Sequence, residues 1–274
     1  MLEILKAILF GIVEGVTEWL PISSTGHMIL LDEFVKLKAS DAFMSMFLVV
    51  IQLGAILAVV CIYFKRLFPI AKKDGKLILE KSKISMWGKI LVACIPAAIV
   101  GFLLDDLIEK LFYNWITVAS ALVIFGILFI VIENRNKNLK PKTISIDEMS
   151  YKTAFLIGLF QLIAAVFPGT SRSGATILGG LAVGVSRTVS AEFTFFLAVP
   201  VMFGASLLKI VKYGFDFTGN ELLILLIGMV VAFAVSIVVI KFLMNYIKKH
   251  DFKIFGWYRI VLGVLVALYF LIFS

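Results

Sequence analysis

Long apolar runs separated by short charged segments make up most of this sequence. Six of the runs approach the length of about 20 helical residues that crosses a lipid bilayer. They lie near residues 43–64, 88–104, 115–132, 193–213, 221–243 and 255–273. The pattern predicts an all-α polytopic membrane protein with six transmembrane helices. Because no linker or shift in composition divides the chain, we expect residues 1–274 to form a single integral membrane domain.

Two further apolar stretches, 1–36 and 153–187, are each interrupted by polar residues and a proline. Proline cannot continue the helical hydrogen-bond ladder, so Pro21 and Pro168 divide each stretch into two short limbs. Limbs this short predict two re-entrant helix pairs. The non-helical tips of such pairs are tolerated at membrane depth only where they face protein or a wet cavity.

The charges of the loops predict how the chain is oriented in the membrane. The lysine-rich connections are 65–89, 133–152 and 248–253, and the acidic connection is 105–109. Basic loops are retained in the cytoplasm, so both chain termini are expected outside. In this topology the first re-entrant pair enters the membrane from outside and the second enters from the cytoplasm.

The two halves of the chain, about 1–140 and 141–274, repeat one pattern. The alignment that matches the two prolines pairs Gly11 with Gly158, Glu14 with Gln161, Ser24 with Ser171 and Thr25 with Arg172. An odd number of crossings in each half gives the halves opposite orientations, which predicts an inverted-topology repeat. The site of such a repeat usually lies between the halves near the membrane midplane.

Composition agrees with the hydropathy pattern. The chain is 61% hydrophobic, against roughly 45–50% for soluble domains. Its net charge of +8 lies in short loops between apolar segments, which favours membrane topology over nucleic-acid binding. Cys61 and Cys94 each stand alone in apolar runs, so neither a disulfide nor a cysteine metal site is expected. No Walker-type phosphate loop is present, which argues against a nucleotide-driven pump.

Two carboxylates, Glu14 and Glu18, lie in the first apolar limb. Their spacing of four residues places them on one face of a helix, where two carboxylates in an apolar setting repel each other. Either one of them keeps a proton, or a divalent cation or an arginine neutralises both. The alternative is a pair that faces a watery vestibule or binds a lysine. Ionisable groups at membrane depth are usually functional, so we favour an acid–base or metal role.

Small hydroxyl residues follow each proline. Ser23, Ser24 or Thr25 can cap the limb after Pro21, and Ser171 and Ser173 lie at the corresponding place after Pro168. Capping alone would explain any one of these serines. Two helix N-termini that converge would also form a site for one phosphate group.

Arg172 and His27 add charge and acid–base chemistry to these helix starts. The guanidinium of Arg172 is permanently charged and needs a counter-anion, which is either Glu14 or Glu18 in a static pair or a substrate phosphate. His27 is either a satisfied buried group or a general base, general acid or nucleophile. Together the residues suit attack on phosphorus in an anionic lipid head group, and we expect the two tips to meet at mid-bilayer.

These motifs resemble those of a known family. Glu14 and Glu18, followed by PISSTGH at 21–27 and by PGTSRSGAT at 168–176, are similar to the two signature motifs of bacterial undecaprenyl-diphosphate phosphatases of the BacA type. The resemblance implies hydrolysis of undecaprenyl diphosphate to undecaprenyl phosphate and inorganic phosphate. That reaction recycles the lipid carrier of cell-wall synthesis and confers resistance to bacitracin.

The resemblance also implies roles for single residues. Glu14 and Glu18 would hold a divalent cation, Mg²⁺ or Ca²⁺, or assist proton transfer. Ser24 would be the nucleophile with His27 as its base, although His27 itself or water could attack instead. Arg172 would hold the phosphate. The predicted substrate-binding residues around these are Ser23, Thr25, Gln161, Ser171, Ser173 and Thr176.

The resemblance places the protein in the bacterial plasma membrane with its site toward the outer face. The expected partners are the polyprenyl diphosphate and the bilayer, without nucleic acid, and the oligomeric state is open between a monomer and a homodimer. Two other classes compete. Inverted repeats with broken helices are also transporter architecture, which favours a secondary transporter or lipid flippase. Ser24 with His27 would suit an intramembrane serine protease, but Arg172 and Glu14 have no obvious role in peptide cleavage.

Overall fold

A computed structural model describes residues 1–73, 76–214 and 216–273, and most of this part of the chain is helical. The helices of the first half are α1 (Leu2–Thr17), α2 (Ser24–Phe34), α3 (Asp41–Val50), α4 (Gln52–Leu67), α5 (Lys81–Phe112) and α6 (Trp115–Asn136). Those of the second half are α7 (Tyr151–Val166), α8 (Arg172–Ala182), α9 (Arg187–Tyr213), α10 (Gly219–Tyr246) and α11 (Lys253–Phe273). The prediction of an all-α polytopic membrane protein is confirmed.

Six segments of the described residues are long and apolar enough to span a membrane, as the sequence pattern predicts. They are Asp41–Leu67, Lys81–Leu104, Trp115–Asn136, Arg187–Tyr213, Gly219–Tyr246 and Lys253–Ile272. The first of them combines α3 and α4, which meet at Ile51. Five of the predicted runs fall inside one of these spans and the sixth, 255–273, extends one residue beyond Ile272, because the thickness of the bilayer sets the length of the run.

Two details of the first half differ from the predicted connections. The lysine-rich connection contains a short antiparallel hairpin of β1 (Ile70–Lys73) and β2 (Lys76–Leu79). The backbone at 105–109, which we expected to be a loop, continues α5 as helix to Phe112. The charged side chains of Asp105, Asp106 and Glu109, on which the outside assignment of this stretch depended, lie outside the described residues.

Polar residues mark where several helices begin. At each of these starts a side-chain oxygen accepts a hydrogen bond from the backbone N–H three residues later, and this satisfies one of the free donors of the first turn. The capping residues are Ser40 for α3, Asn114 for α6, Ser150 for α7, Ser186 for α9 and Thr218 for α10.

The two helix pairs predicted from the polar breaks are α1 with α2 and α7 with α8. Both second helices begin after a non-glycine residue in the left-handed region, Ser23 with φ 74° and Ser171 with φ 68°. The same rare backbone conformation at both breaks indicates that the two halves use one turn. The turn after Pro168 is one residue longer than the turn after Pro21, because Gly169 and Thr170 stand where Ile22 stands alone.

The longer turn corrects the alignment of the repeat. Ser23 is the structural equivalent of Ser171, and Ser24 is therefore the equivalent of Arg172, not of Ser171. Before the turns, the predicted pairing of Gly11 with Gly158 agrees with the packing, because each glycine lies against the backbone of a long helix from the other half. Gly11 of α1 lies against α10, and Gly158 of α7 lies against α5. The opposite orientation of the halves and the re-entrant course of the helix pairs remain predictions.

The two helix pairs differ in burial. In α8 every residue from Ser173 to Leu181 is buried, whereas in α2 only Gly26 and Met28 are buried. Helix α8 therefore lies at the centre of the protein, and α2 lies nearer to its surface.

Candidate active site

Glu18 is the residue at which the two halves of the chain meet. Its carboxylate is buried, and each of its two oxygens accepts one hydrogen bond. Oε1 accepts from Nη2 of Arg172 at 2.9 Å, and Oε2 accepts from the hydroxyl of Ser24, also at 2.9 Å. Since Ser24 and Arg172 are equivalent positions of the repeat, the first residues of α2 and α8 hold one carboxylate between them. The expected meeting of the two tips is observed.

Two serine caps create this arrangement. Ser23 accepts a hydrogen bond from the N–H of Gly26 at 3.3 Å, and Ser171 accepts one from the N–H of Gly174 at 3.1 Å. Ser23 and Ser171 are thus the caps among the candidate serines. Because each cap is followed at once by the first helical residue, the caps orient Ser24 and Arg172 toward Glu18.

Arg172 is the most constrained cation of the cluster. Besides its ion pair with Glu18, its Nη1 donates to the carbonyl of Thr194 in α9 at 3.0 Å, and its guanidinium lies 6.0 Å from the ring of Trp19. The guanidinium is therefore held by Glu18 at the end of α1 and by Thr194 of α9. Its Nε–H is buried and makes no hydrogen bond within the described residues.

Glu14 lies one turn before Glu18 and is completely buried. Neither of its carboxylate oxygens has a hydrogen-bond partner within the described part of the chain. A buried carboxylate without partners is costly, so this position needs a proton or a cation. Hard oxygen ligands of this kind suit Mg²⁺ or Ca²⁺, and two neighbouring carboxylates fit such an ion.

The described residues contain no group of three or more His, Cys, Asp or Glu side chains that could hold a metal ion. Glu14 and Glu18 would therefore supply only part of the coordination of a divalent cation. Phosphate oxygens of a substrate and water are the ligands that usually complete such a shell for Mg²⁺. The two carboxylates fit an ion that is shared with a phosphate group better than a closed structural site.

His27 has different partners from those expected. Its Nδ1 lies 2.7 Å from the carbonyl of Ser23, and its Nε2 lies 2.7 Å from the hydroxyl of Tyr258. A carbonyl can only accept, so Nδ1 carries the proton and Nε2 of the neutral ring accepts from Tyr258. The hydroxyl of Ser24 donates to Glu18 and not to His27. The geometry thus favours Glu18 over His27 as the acceptor of a proton from Ser24.

The other predicted residues take mainly positioning roles. Ser173 donates to the backbone carbonyl of Glu18 at 2.9 Å, which fixes α8 to the end of α1. Thr176 donates to the carbonyl of Arg172 at 2.8 Å, and its hydroxyl also lies 2.8 Å from that of Thr194. Gln161 is buried, and its amide nitrogen lies 3.5 Å from the carbonyl of Ala93.

Among the predicted substrate-binding residues, Gln161 and Thr25 have side-chain atoms without a hydrogen-bond partner in the described chain. Oε1 of Gln161 is buried and makes no hydrogen bond there. Thr25 is partly exposed in the first turn of α2, and its side chain makes no hydrogen bond with described residues.

The sequence reasoning missed Arg259, which lies in α11 with no exposed surface. Its guanidinium donates to the carbonyl of Pro21 in the first break at 3.3 Å. It also donates to the carbonyls of Gly169 and Thr170 in the second break at 3.0 and 2.8 Å. One arginine therefore holds both breaks. The sequence contains the signal for this residue. Arg259 is a lone charge within an apolar run, as Arg172 is, and such a charge indicates a functional position.

Comparisons with known proteins identify the family of this chain. The family model described as "Bacitracin resistance protein BacA" matches residues 7–265. A protein of Desulfitobacterium hafniense named "Undecaprenyl-diphosphatase" is 68% identical over 270 residues, which are 98% of this chain and 97% of that protein. The "Undecaprenyl-diphosphatase 1" of Clostridium acetobutylicum is 65% identical over 271 residues, 99% of this chain and 98% of the relative. An "Undecaprenyl-diphosphatase" of Acetivibrio thermocellus is 60% identical and covered to 99% on both sides.

Proposed function

This chain belongs to the bacitracin resistance protein BacA family, and we infer that it is an integral-membrane phosphatase that hydrolyses undecaprenyl diphosphate. The products are undecaprenyl phosphate and inorganic phosphate, so the reaction returns the lipid carrier of cell-wall synthesis to use. The relatives named above are diphosphatases, and none of them is named as a transporter or flippase. The transporter alternative is therefore not supported.

The single observation that carries the catalytic proposal is the Glu18 carboxylate between Ser24 and Arg172. It places a nucleophile and an anion-binding guanidinium each within hydrogen-bond distance of one proton acceptor, Glu18. Such a set is what attack on a phosphate group requires, because the nucleophile must lose a proton while charge on the phosphate is stabilised.

In the proposed reaction the terminal phosphate of the lipid diphosphate lies beside Arg172, whose planar fork suits phosphate oxygens. The Ser24 hydroxyl attacks the terminal phosphorus, and its proton passes to Glu18, 2.9 Å away. The bond from that phosphorus to the bridging oxygen breaks, and undecaprenyl phosphate leaves with the proton. Water then attacks this phosphorus and displaces the Ser24 oxygen. The hydroxyl of the water becomes part of the inorganic phosphate, and the proton of the water returns to Ser24 through Glu18.

A divalent cation, Mg²⁺ or Ca²⁺, is part of the proposal. Glu14 and Glu18 would hold it, and it would supply positive charge against the phosphate oxygens. The support is the buried carboxylate of Glu14, whose two oxygens accept no hydrogen bond within the described residues. His27 would then orient the tip of α2 through Ser23 and Tyr258.

The protein is a multi-pass membrane protein, and we propose that its site opens toward the outer face. The lysine-rich loops support this orientation, because they predict that the first helix pair enters from outside. Burial supports the same side. Ser24, Thr25 and His27 of α2 are partly exposed, while Ser173 and Thr176 of α8 are buried, so the cluster is accessible from the first pair.

Phosphate release by purified protein from undecaprenyl diphosphate tests the proposal. Ser24→Ala is expected to lower the rate roughly 1,000-fold or more, since the nucleophile would be absent. Thr25→Ala is the matched control and should cost much less, because its hydroxyl has no partner in the cluster. Acid quenching of wild type with substrate labelled at the terminal phosphorus should trap a phosphoserine. Wild-type turnover by Ser24→Ala would contradict the assignment of the nucleophile.

A further inference from the structure

A second polar site lies where three membrane-spanning helices end on one face of the protein. Asn136 is the last residue of α6, Arg187 is the first of α9, and α10 ends at Tyr246 just before Ile247 and Lys248. Between these ends is a cavity of about 650 Å³. The cavity lies at the C-terminal end of α8, whose first residue is Arg172, so it is separated from the candidate active site by roughly 15 Å of helix.

Positive charge dominates the lining of this cavity. Its basic residues are Arg135, Lys137, Lys140, Lys142, Arg187 and Lys248. The one acidic residue in the lining, Glu133, is occupied: Arg187 donates to both of its carboxylate oxygens, and the N–H of Phe252 donates to it at 3.0 Å. The other five cations form no ion pair within the described residues.

The backbone around Lys142 is fixed. The N–H of Lys142 donates to the carbonyl of Gly184 at 2.8 Å, and the N–H of Ser186 donates to the carbonyl of Thr143 at 2.9 Å. The side chain of Asn136 donates to the carbonyl of Leu181 at 2.9 Å. The segment that joins the two halves is thereby attached to the turn between α8 and α9. The cavity is a preformed site and not a gap beside a free loop.

The chemistry of the lining identifies a class of ligand. Five exposed cations without an ion pair create a positive potential that favours an anion, and phosphate is the anion found at the ends of membrane-spanning helices, in the lipid head groups. Leu139 stands in the same lining with 59% of its surface exposed, which suits an amphiphile better than a free ion. Since the connections on this face are lysine-rich, the nearest lipids are those of the predicted cytoplasmic leaflet.

We propose that this cavity binds the phosphate head group of an anionic phospholipid from the cytoplasmic leaflet. The site shares no residue with the candidate active site. It therefore does not depend on the catalytic proposal, and either can fail while the other holds.

Native mass spectrometry of the purified full-length protein tests the proposal by titration with phosphatidylglycerol and with phosphatidylcholine. Lys140→Gln, Lys142→Gln and Lys248→Gln, combined in one variant, should weaken phosphatidylglycerol binding roughly 100-fold, on the basis of about fivefold per lysine. The matched control combines Lys72→Gln, Lys76→Gln and Lys81→Gln, three exposed lysines of the β1–β2 region. The control should keep wild-type affinity, and phosphate release by both variants in detergent should stay at the wild-type level.

Three results would overturn the proposal. Equal loss of affinity in both triple variants would show that net charge, not the cavity, attracts the lipid. Equal affinity of wild type for phosphatidylcholine would show that the head-group charge is not read. Displacement of the lipid by millimolar inorganic phosphate would assign the cavity to a free ion instead of a lipid.

Discussion

At the scale of single residues, the two glutamates of α1 have opposite surroundings. Glu18 has a cation and a hydroxyl on its two oxygens, whereas Glu14 has no partner within the described residues. Breaking or leaving a buried charge uncompensated is strongly destabilising, so an unpartnered carboxylate is maintained only where function requires it. In the proposed function the two residues therefore have different roles: Glu18 would orient Ser24 and Arg172, and Glu14 would take up a cation or a proton.

This division predicts opposite effects of Glu14→Gln on stability and on activity. The amide has nearly the same shape without the charge, so the melting temperature of the purified protein should stay the same or rise. The divalent-ion concentration for half-maximal phosphate release should rise roughly 10–100-fold, as for other losses around metal sites. A variant with lower melting temperature and unchanged ion dependence would contradict the assignment and make Glu14 a structural residue.

At the scale of elements, the starts of α2 and α8 explain the site. A left-handed serine at each start shortens the turn and directs the next residue toward Glu18. Left-handed backbone costs an ordinary L residue roughly 1–2 kcal/mol, and glycine avoids this cost. Serine is retained at both positions because its hydroxyl caps the helix.

Glycine substitutions can measure the balance between the cost of the left-handed backbone and the stabilisation by the serine cap. Ser171→Gly loses a cap but relieves the left-handed strain, whereas Ser186→Gly loses a cap at a residue with φ −63° and relieves nothing. We expect Ser171→Gly to melt about 2–4 °C above Ser186→Gly, for a difference of about 1 kcal/mol. Melting temperatures that are equal, or that reverse this order, would show that the left-handed conformation at Ser171 carries no strain.

Arg259 acts on the same two turns from α11. Arg259→Lys keeps the charge but cannot serve carbonyls of both breaks at once, so buried acceptors lose their donor. The expected loss is roughly 1–3 kcal/mol of unfolding free energy, seen as a lower melting temperature. Arg135→Lys, at an exposed position, should melt like wild type. An unchanged melting temperature for Arg259→Lys would mean that the two breaks are held by other contacts.

At the scale of the whole molecule, the sequence predicts what the bilayer dictates. The six spans follow from the thickness of the hydrocarbon layer, and the two polar breaks follow from Pro21 and Pro168. Details that depend on tertiary contacts were not predictable. The extra residue after Pro168 shifts the repeat so that Ser24 matches Arg172, and His27 binds Tyr258 from a helix more than 200 residues away.

Where the prediction of connections was wrong, the cause is also physical. Charge in the 105–109 stretch indicated a loop, but the stretch also contains Leu107 and Glu109, residue types with good helix propensity, and α5 continues to Phe112. The lysine-rich pattern of the first basic connection did not predict the short hairpin of β1 and β2, because the pairing of these strands depends on backbone contacts. Both differences lie away from the site and leave its residues unchanged.

The two halves of the molecule contribute different parts of one site. The first half supplies both carboxylates and the serine, and the second half supplies the arginine. Neither half alone holds a complete set, so the central claim is that Glu18 and Arg172 act on the phosphate as one unit.

A double-mutant cycle of Glu18→Gln and Arg172→Gln on kcat/KM for undecaprenyl diphosphate tests this claim most directly. Each single variant should lose most of its activity. The kcat/KM of the double variant should be little lower than that of the less active single variant, since the effects of residues that act as a unit are not additive. The predicted coupling free energy is roughly 1–3 kcal/mol. Fully multiplicative losses, with no coupling between the two positions, would contradict the account.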